Sequence, residues 1–132
     1  MEIIEIKKSI TFIEEHMDKT DKVYVSHSSR YPFTYYNEIG FMKINTHNII
    51  YGKHNNLAWN GHEWISDTTM LSNDLSLISG RVWFLFTKNA DEYFRMQFLK
   101  SYFELKGYNI IQEFHATGSD VYLYDINNQQ DG

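Results

Sequence analysis

The segment from residue 81 to residue 86 (RVWFLF) restricts the fold of this chain more than any other part of the sequence. Five apolar residues follow Arg81 without interruption, so the segment has no polar face. A half-exposed strand would alternate polar and apolar residues, whereas a strand covered by helices on both sides is apolar throughout. The segment therefore predicts a central strand in a layered α/β structure.

Helical and extended patterns alternate along the rest of the chain. Apolar residues recur at steps of three and four from Ile3 to Met17, which predicts an amphipathic helix. Gly40 and Gly107 are expected to end two later helices. The predicted elements are helix 3–17, strand 22–27, helix 28–37, strand 48–52, an irregular loop 53–65 with a hairpin turn at 60–61, a short helix within 66–77, strand 81–86, helix 89–105, and strands 108–115 and 121–126, with a polar tail from about residue 127.

This alternation favours an α/β fold with three layers, a Rossmann-like and mostly parallel sheet of about five strands. The last two strands are joined by a connection too short for a crossover, so we expect them to form an antiparallel hairpin. Gln112 and Glu113 suit strand 108–115 to an edge of the sheet, which places strand 121–126 inside it. We predict the strand order 2-1-3-5-4, with 2-1-3-4-5 as the alternative.

Composition supports one domain over residues 1–132. The chain has 132 residues, and its ten Tyr, nine Phe and three Trp supply ample core material. The formal charge of −5 disfavours sequence-independent binding to nucleic acid, which requires clustered basic residues. No apolar run approaches the roughly 20 residues of a membrane span. Without cysteine the chain has neither a disulfide nor a thiolate site.

The turn after the first strand is the best-marked candidate for ligand binding. Open α/β sheets bind ligands at the carboxyl ends of their strands, where the strand order reverses. Hydroxyl groups, a guanidinium and the start of a helix would suit a phosphate or a carboxylate. The alternative is that Ser28 or Ser29 caps the helix, Arg30 is solvated and the tyrosines pack on the sheet. The candidate ligand-binding residues are Ser26, His27, Ser28, Ser29, Arg30, Tyr35 and Tyr36.

The sequence predicts neither catalytic residues nor a metal site nor a cofactor. It contains no G-x-S-x-G nucleophile turn and no glycine-rich phosphate loop. The histidines lack metal-ligand spacing, since His47, His54 and His62 fall in a loop-like segment. His115 ends a predicted edge strand and is expected to be exposed. Asp21 precedes the first strand and is expected at its amino end, away from the ligand-binding edge.

Several segments together resemble one known family. The most specific are D-x-V-Y-V at 21–25 with the later tyrosine pair at 35–36, and G-R-V-W-F-L-F at 80–86; segments 49–52, 105–108 and 121–124 add to them. From about residue 7 to 126 the chain resembles the soluble C-terminal, extracytoplasmic domain of bacterial multi-spanning glycosyltransferases. These enzymes are relatives of the dolichyl-phosphate-mannose–protein mannosyltransferases and use polyprenyl-phosphate sugars.

In that family, catalysis belongs to acidic residues of the membrane portion, so no catalytic residue is carried over to this chain. The resemblance implies a non-catalytic accessory domain on the outer face of the bacterial membrane. Its partner would be the membrane portion of the parent glycosyltransferase or the acceptor of that enzyme.

Two other functions are open. The chain is either a free-standing module that binds a phosphate or sugar-phosphate at the 26–36 turn, or a small methyl- or acyl-transferase, which the missing glycine loop disfavours. The expected location follows the choice of function. An accessory domain of a membrane enzyme would be extracytoplasmic, whereas a free-standing chain would be cytoplasmic, because Glu2 and Glu5 stand where a secretory signal carries basic residues.

Overall fold

A computed structural model describes residues 6–26, 29–52, 57–59, 64–66, 78–88 and 90–126 of the chain. These residues form an α/β fold around a five-stranded mixed sheet. The elements are α1 (Lys7–His16), β1 (Lys22–Val25), α2 (Arg30–Glu38), β2 (Ile49–Tyr51), β3 (Leu57–Trp59), β4 (Trp64–Ser66), β5 (Gly80–Thr87), α3 (Ala90–Leu105), β6 (Ile110–His115) and β7 (Ser119–Ile126). A single 3₁₀ turn, Thr46–Asn48, leads into β2.

The strand order of the main sheet is β2-β1-β5-β7-β6. Numbered along the chain without β3 and β4, this is 2-1-3-5-4, so the predicted order is confirmed. β1 pairs in parallel with β2 and β5, and β7 runs antiparallel between β5 and β6. β7 begins at Ser119, two residues earlier than predicted, because its pairing with β5 continues as far as Thr87. The connection between β6 and β7 is therefore even shorter than the sequence indicated.

The sheet separates two apolar clusters, as alternation along a strand requires. In β5, Trp83 and Leu85 face the cluster that contains α1 and α2, whereas Val82, Phe84 and Phe86 face the cluster that contains α3. All five side chains are at most 2% exposed, which confirms that this strand is covered on both sides. Burying a side chain of this size contributes about 1.5–3 kcal/mol. Among the described strands, β5 is therefore one of two main contributors to the core, together with β7, which buries five more apolar side chains between Val121 and Ile126.

Helix α3 ends where Gly107 takes a φ of +86°. A left-handed residue here lets the Tyr108 amide donate to the Phe103 carbonyl at 2.9 Å, and the two rings then pack with their centroids 5.8 Å apart. This pattern is the Schellman motif with its usual apolar contact. α2 ends in the same way at Gly40, with a φ of +78°. Both glycines therefore end helices as predicted.

Other sequence expectations are met in part. Within the loop predicted for 53–65, the structure contains the short antiparallel ladder of β3 and β4, and Ser66 belongs to β4 rather than to a helix. The predicted turn at 60–61, the rest of the helix predicted within 66–77 and the polar tail lie outside the described residues, as do Ile3 and the predicted start of the first helix. None of the helices in the described ranges has the length and apolarity that crossing a bilayer requires.

Candidate functional site at the carboxyl edge of the sheet

The carboxyl ends of β1, β2, β5 and β6 lie on one edge of the sheet, here named the carboxyl edge. β6 shares this direction because β7 is antiparallel to both of its neighbours. α2 and α3 start at this edge, since each follows a strand that ends there. β2 lies on one side of β1 and β5 lies on the other, so the strand order reverses at β1. Ligands of open α/β sheets bind at such a point, and Ser26, Ser29 and Arg30 lie there.

Ser26 and Ser29 are both buried at this point and bind each other. Their Oγ atoms are 2.6 Å apart, and the amide of Thr87 donates to Ser29 Oγ at 2.9 Å. The amide of Ser26 donates to the Leu85 carbonyl at 3.1 Å. The two serines are at most 1% exposed. These bonds join the end of β1 to the end of β5, so we assign both hydroxyls to the framework of the edge rather than to its surface.

Ser29 occupies the N-cap position of α2 without capping it. Its side chain makes no cap hydrogen bond. An N-cap oxygen usually accepts from the amide two or three residues later, and Pro32, the third residue after Ser29, has no N–H to donate. The hydroxyl turns to the sheet instead, so the capping interpretation is wrong for Ser29. His27 and Ser28 lie outside the described residues.

The two candidate tyrosines have different surroundings. Tyr36 is 6% exposed and belongs to the core cluster under α1 and α2. Tyr35 is 44% exposed, and its ring packs edge-on against Tyr36 with centroids 5.2 Å apart. Tyr31, one helical turn before Tyr35, is 82% exposed. Of the predicted pair, only Tyr35 is therefore accessible to a ligand, and Tyr31 is an exposed neighbour that the sequence reasoning did not select.

Arg30 is exposed at the start of α2, and its charge lies over an aromatic ring. The guanidinium Cζ is 5.1 Å from the ring centroid of Tyr51, the last residue of β2. A cation–π contact of this kind attracts the guanidinium to the ring, and the Arg30 side chain is still exposed. In the described part of the chain, no carboxylate forms a salt bridge with Arg30. The carboxyl edge therefore carries an exposed guanidinium that contacts an aromatic ring.

A second charged group at the same edge surrounds His115, the last residue of β6. Its Nδ1 is 2.7 Å from Asp120 Oδ1 and its Nε2 is 2.7 Å from Glu113 Oε1. The hydrogen bond to Asp120, followed by that to Glu113, raises the pKa of His115. The histidine is exposed as predicted, but both of its ring nitrogens contact carboxylates. The predicted hairpin brings Asp120 close to His115, so the sequence contained one indication that these two side chains would meet.

Asp21 lies at the opposite, amino end of β1, where the sequence placed it. Its carboxylate is wholly buried and accepts from Arg81 Nε at 2.9 Å, Trp83 Nε1 at 3.0 Å and the Asp18 amide at 3.0 Å. Burial alone would raise the pKa of Asp21, but these hydrogen bonds outweigh it and hold that pKa below its ordinary value. A carboxylate with this many donors is a structural group.

An open groove of about 750 Å³ also lies at the amino end, between α1 and the segment before β2. Charges of both signs line it, including Glu15, Asp18, Lys19 and Lys43. The groove therefore offers no net preference for an anion, and it is at the far end of the sheet from Arg30.

Within the described ranges, no three or more His, Cys, Asp or Glu side chains are grouped so that they could hold a metal ion. In comparisons with known proteins, no family model matches the chain, and no curated protein or solved structure is significantly similar to it. These comparisons therefore supply no functional assignment.

Proposed function

We propose that this domain binds a phosphate-bearing ligand at the carboxyl edge without transforming it, as an accessory domain of a membrane glycosyltransferase that uses polyprenyl-phosphate sugars. The observation that carries the binding part is the exposed Arg30 guanidinium, held over Tyr51 with no salt-bridge partner among the described residues. The accessory role and its place on the outer membrane face depend on the family resemblance. The Rossmann-like description of the sheet depends on the alternation of helices and strands along the chain.

The chemistry of Arg30 favours a phosphate. A guanidinium presents paired N–H donors that match two phosphate oxygens. The contact with the Tyr51 ring would help to keep the guanidinium at the carboxyl edge. Tyr31 and Tyr35 are four residues apart, so they lie on the same side of α2. Their exposed rings and hydroxyls would suit a sugar attached to the phosphate, through ring contact and hydrogen bonds.

The surroundings of Ser26, Ser29 and His115 favour a role in binding over a role in catalysis. Ser26 and Ser29 bond to each other and to main-chain groups, so neither is presented to a ligand as a nucleophile. Both ring nitrogens of His115 are engaged by carboxylates, which leaves no lone pair for a general base.

Isothermal titration tests the binding part with inorganic phosphate, a hexose 1-phosphate, the same hexose without phosphate, and a short-chain polyprenyl phosphate. We expect the phosphate-bearing compounds to bind and Arg30→Ala to weaken them roughly tenfold or more, because charge-assisted bonds are lost. Arg30→Lys should recover only part of the affinity, since it keeps the charge but not the paired donors. Lys8→Ala, which removes an exposed charge from α1, is the matched control and should bind like the wild type.

Equal affinities of the wild type and Arg30→Ala would refute the site, and the absence of any binding would refute the function. The accessory role has a separate test in the genomic reading frame. An upstream sequence that encodes no hydrophobic spans would contradict the accessory role, and the binding proposal would then apply to a free-standing module.

A further inference from the structure

His115 requires a proton on each ring nitrogen to make the contacts that the structure shows. Nδ1 and Nε2 each lie 2.7 Å from a carboxylate oxygen, and carboxylates accept but do not donate when ionised. A neutral imidazole has only one N–H, so one of the two contacts would set a nitrogen lone pair against an oxygen lone pair. The arrangement is therefore specific to the imidazolium form.

The two carboxylates come from different strands. Glu113 and His115 are on the same face of β6, two residues apart, and Asp120 is the residue of β7 directly opposite His115. Among the described strands, β6 lies at the edge of the main sheet and pairs with β7 alone. The ion cluster therefore links the side chains of these two strands at the end of their ladder that is next to the turn. This link supplements the main-chain bond from the Ala116 amide to the Ser119 carbonyl, which is 2.9 Å long.

The same turn also contacts the segment that follows β5. The amide of Lys88 donates to the Gly118 carbonyl at 3.0 Å, and Lys88 Nζ is 3.7 Å from Asp120 Oδ1. Asp120 thus connects the histidine to the residue that leads from β5 toward α3.

Other ionisable side chains of the described residues lie near His115, but none of them takes its place between the two carboxylates. The ring of Tyr122 on β7 meets the imidazole edge-on with centroids 5.7 Å apart, and Lys100 of α3 lies over that ring, with Nζ 4.6 Å from its centroid. Burial, followed by the nearby carboxylates, raises the pKa of Tyr122 far above neutrality. Tyr122 therefore stays uncharged while His115 titrates.

We propose that Glu113, His115 and Asp120 form a pH-dependent latch. While His115 is protonated, the latch ties the end of β6 to the start of β7 and so steadies the turn whose Gly118 carbonyl accepts from the Lys88 amide. When His115 loses its proton, this tie is lost and the turn opens more readily. Because the folded state favours the protonated form, the stabilisation is complete below the ordinary pKa of 6.5 and disappears as the pH rises through the raised value.

Amide hydrogen exchange measured by NMR tests the latch, with the Ala116 and Lys88 amides as reporters and exchange rates corrected for their intrinsic dependence on pH. From about pH 6 to about pH 9, we expect the protection of both amides to fall roughly two- to tenfold, as two half-exposed ion pairs are lost. The midpoint should coincide with the titration of the His115 ring. In His115→Asn, the protection should be low and independent of pH. His47→Asn, which removes an exposed histidine outside the latch, should behave like the wild type.

Glu113→Gln provides a second measurement that does not depend on the folding of His115→Asn. It keeps the Asp120 contact but removes one carboxylate, so the midpoint of both the ring titration and the loss of protection should move to lower pH together. Protection that stays constant while His115 titrates would refute the latch. The same conclusion would follow from a midpoint that Glu113→Gln leaves unchanged.

Discussion

Replacing Asp21 with asparagine removes a buried negative charge with little change in side-chain size. Four N–H groups converge on this carboxylate: Arg81 Nε and Nη2 at 2.9 and 3.2 Å, Trp83 Nε1 at 3.0 Å and the Asp18 amide at 3.0 Å. An amide has one acceptor oxygen, so at least one of these donors loses its partner. Breaking a buried ion pair costs about 3–5 kcal/mol. The Arg81 side chain is 34% exposed and can recover hydration, so we expect about 3 kcal/mol, near the lower end.

The expected loss of unfolding free energy in Asp21→Asn depends on pH and becomes smaller in acid. The folded-state pKa of Asp21 lies below the ordinary value of 3.8, so its carboxylate stabilises the fold above that value. This contribution is lost as the pH falls through the folded-state pKa. The difference in unfolding free energy between the wild type and Asp21→Asn should therefore be constant near neutrality and shrink below about pH 4.

Urea denaturation followed by far-UV circular dichroism at a series of pH values measures this difference. Arg81→Met and the double variant complete a thermodynamic cycle, in which we expect a coupling energy of about 1–3 kcal/mol. An Asp21→Asn variant within about 0.5 kcal/mol of the wild type at pH 7 would refute the assignment of Asp21 as a stabilising centre. A difference that does not change on acidification would show that charge is not the cause.

Two further predictions concern stability. Ser9 and Ser119 share a buried bond of 2.6 Å between their Oγ atoms, so Ser9→Ala should cost about 1–2 kcal/mol in urea denaturation, because it leaves the other hydroxyl buried without that partner. Adding Ser119→Ala should cost little more, and fully additive losses would contradict a shared bond. A Cβ at Gly107 meets no atom within 4 Å, but the residue must keep a φ of +86°, so Gly107→Ala should lower the free energy of unfolding by about 1 kcal/mol. Ser101→Ala, at an exposed position of α3, is the control. Equal melting temperatures of the two variants in calorimetry would contradict the backbone argument.

The order of the sheet was predictable because it depends on local signals. An uninterrupted apolar run marks β5 as central, and the short connection after His115 forces the next strand to be antiparallel. Edge-type residues such as Glu113 then decide which of the last two strands lies inside. Each inference uses residues that are close in sequence, and together they favour the observed order over 2-1-3-4-5, the alternative that the sequence left open.

The role of the serines was not predictable in the same way. Ser29 has the residue type and the position of a helix cap, but its hydroxyl accepts from Thr87, 58 residues later. That partner exists only once β1 and β5 are paired. Asp21 was correctly placed at the amino end, but its burial was not predictable, because the Arg81 and Trp83 side chains that contact it belong to β5. Three-residue strands such as β3 are also too short for a periodic pattern to reveal.

The position of β7 inside the sheet has a consequence for synthesis of the chain on the ribosome. β5 is eight residues long and apolar on both faces, and β7 pairs with one of its two edges. Among the described strands, β6 pairs with β7 alone, although β6 is made first. Until β7 has been synthesised, that edge of β5 lacks the strand partner it has in the folded sheet, and an open hydrophobic edge is the kind of surface that recruits other unfinished strands. Protection of this edge by a chaperone until β7 emerges would matter more for this topology than for a sheet in which the strand made after β6 is added at the rim.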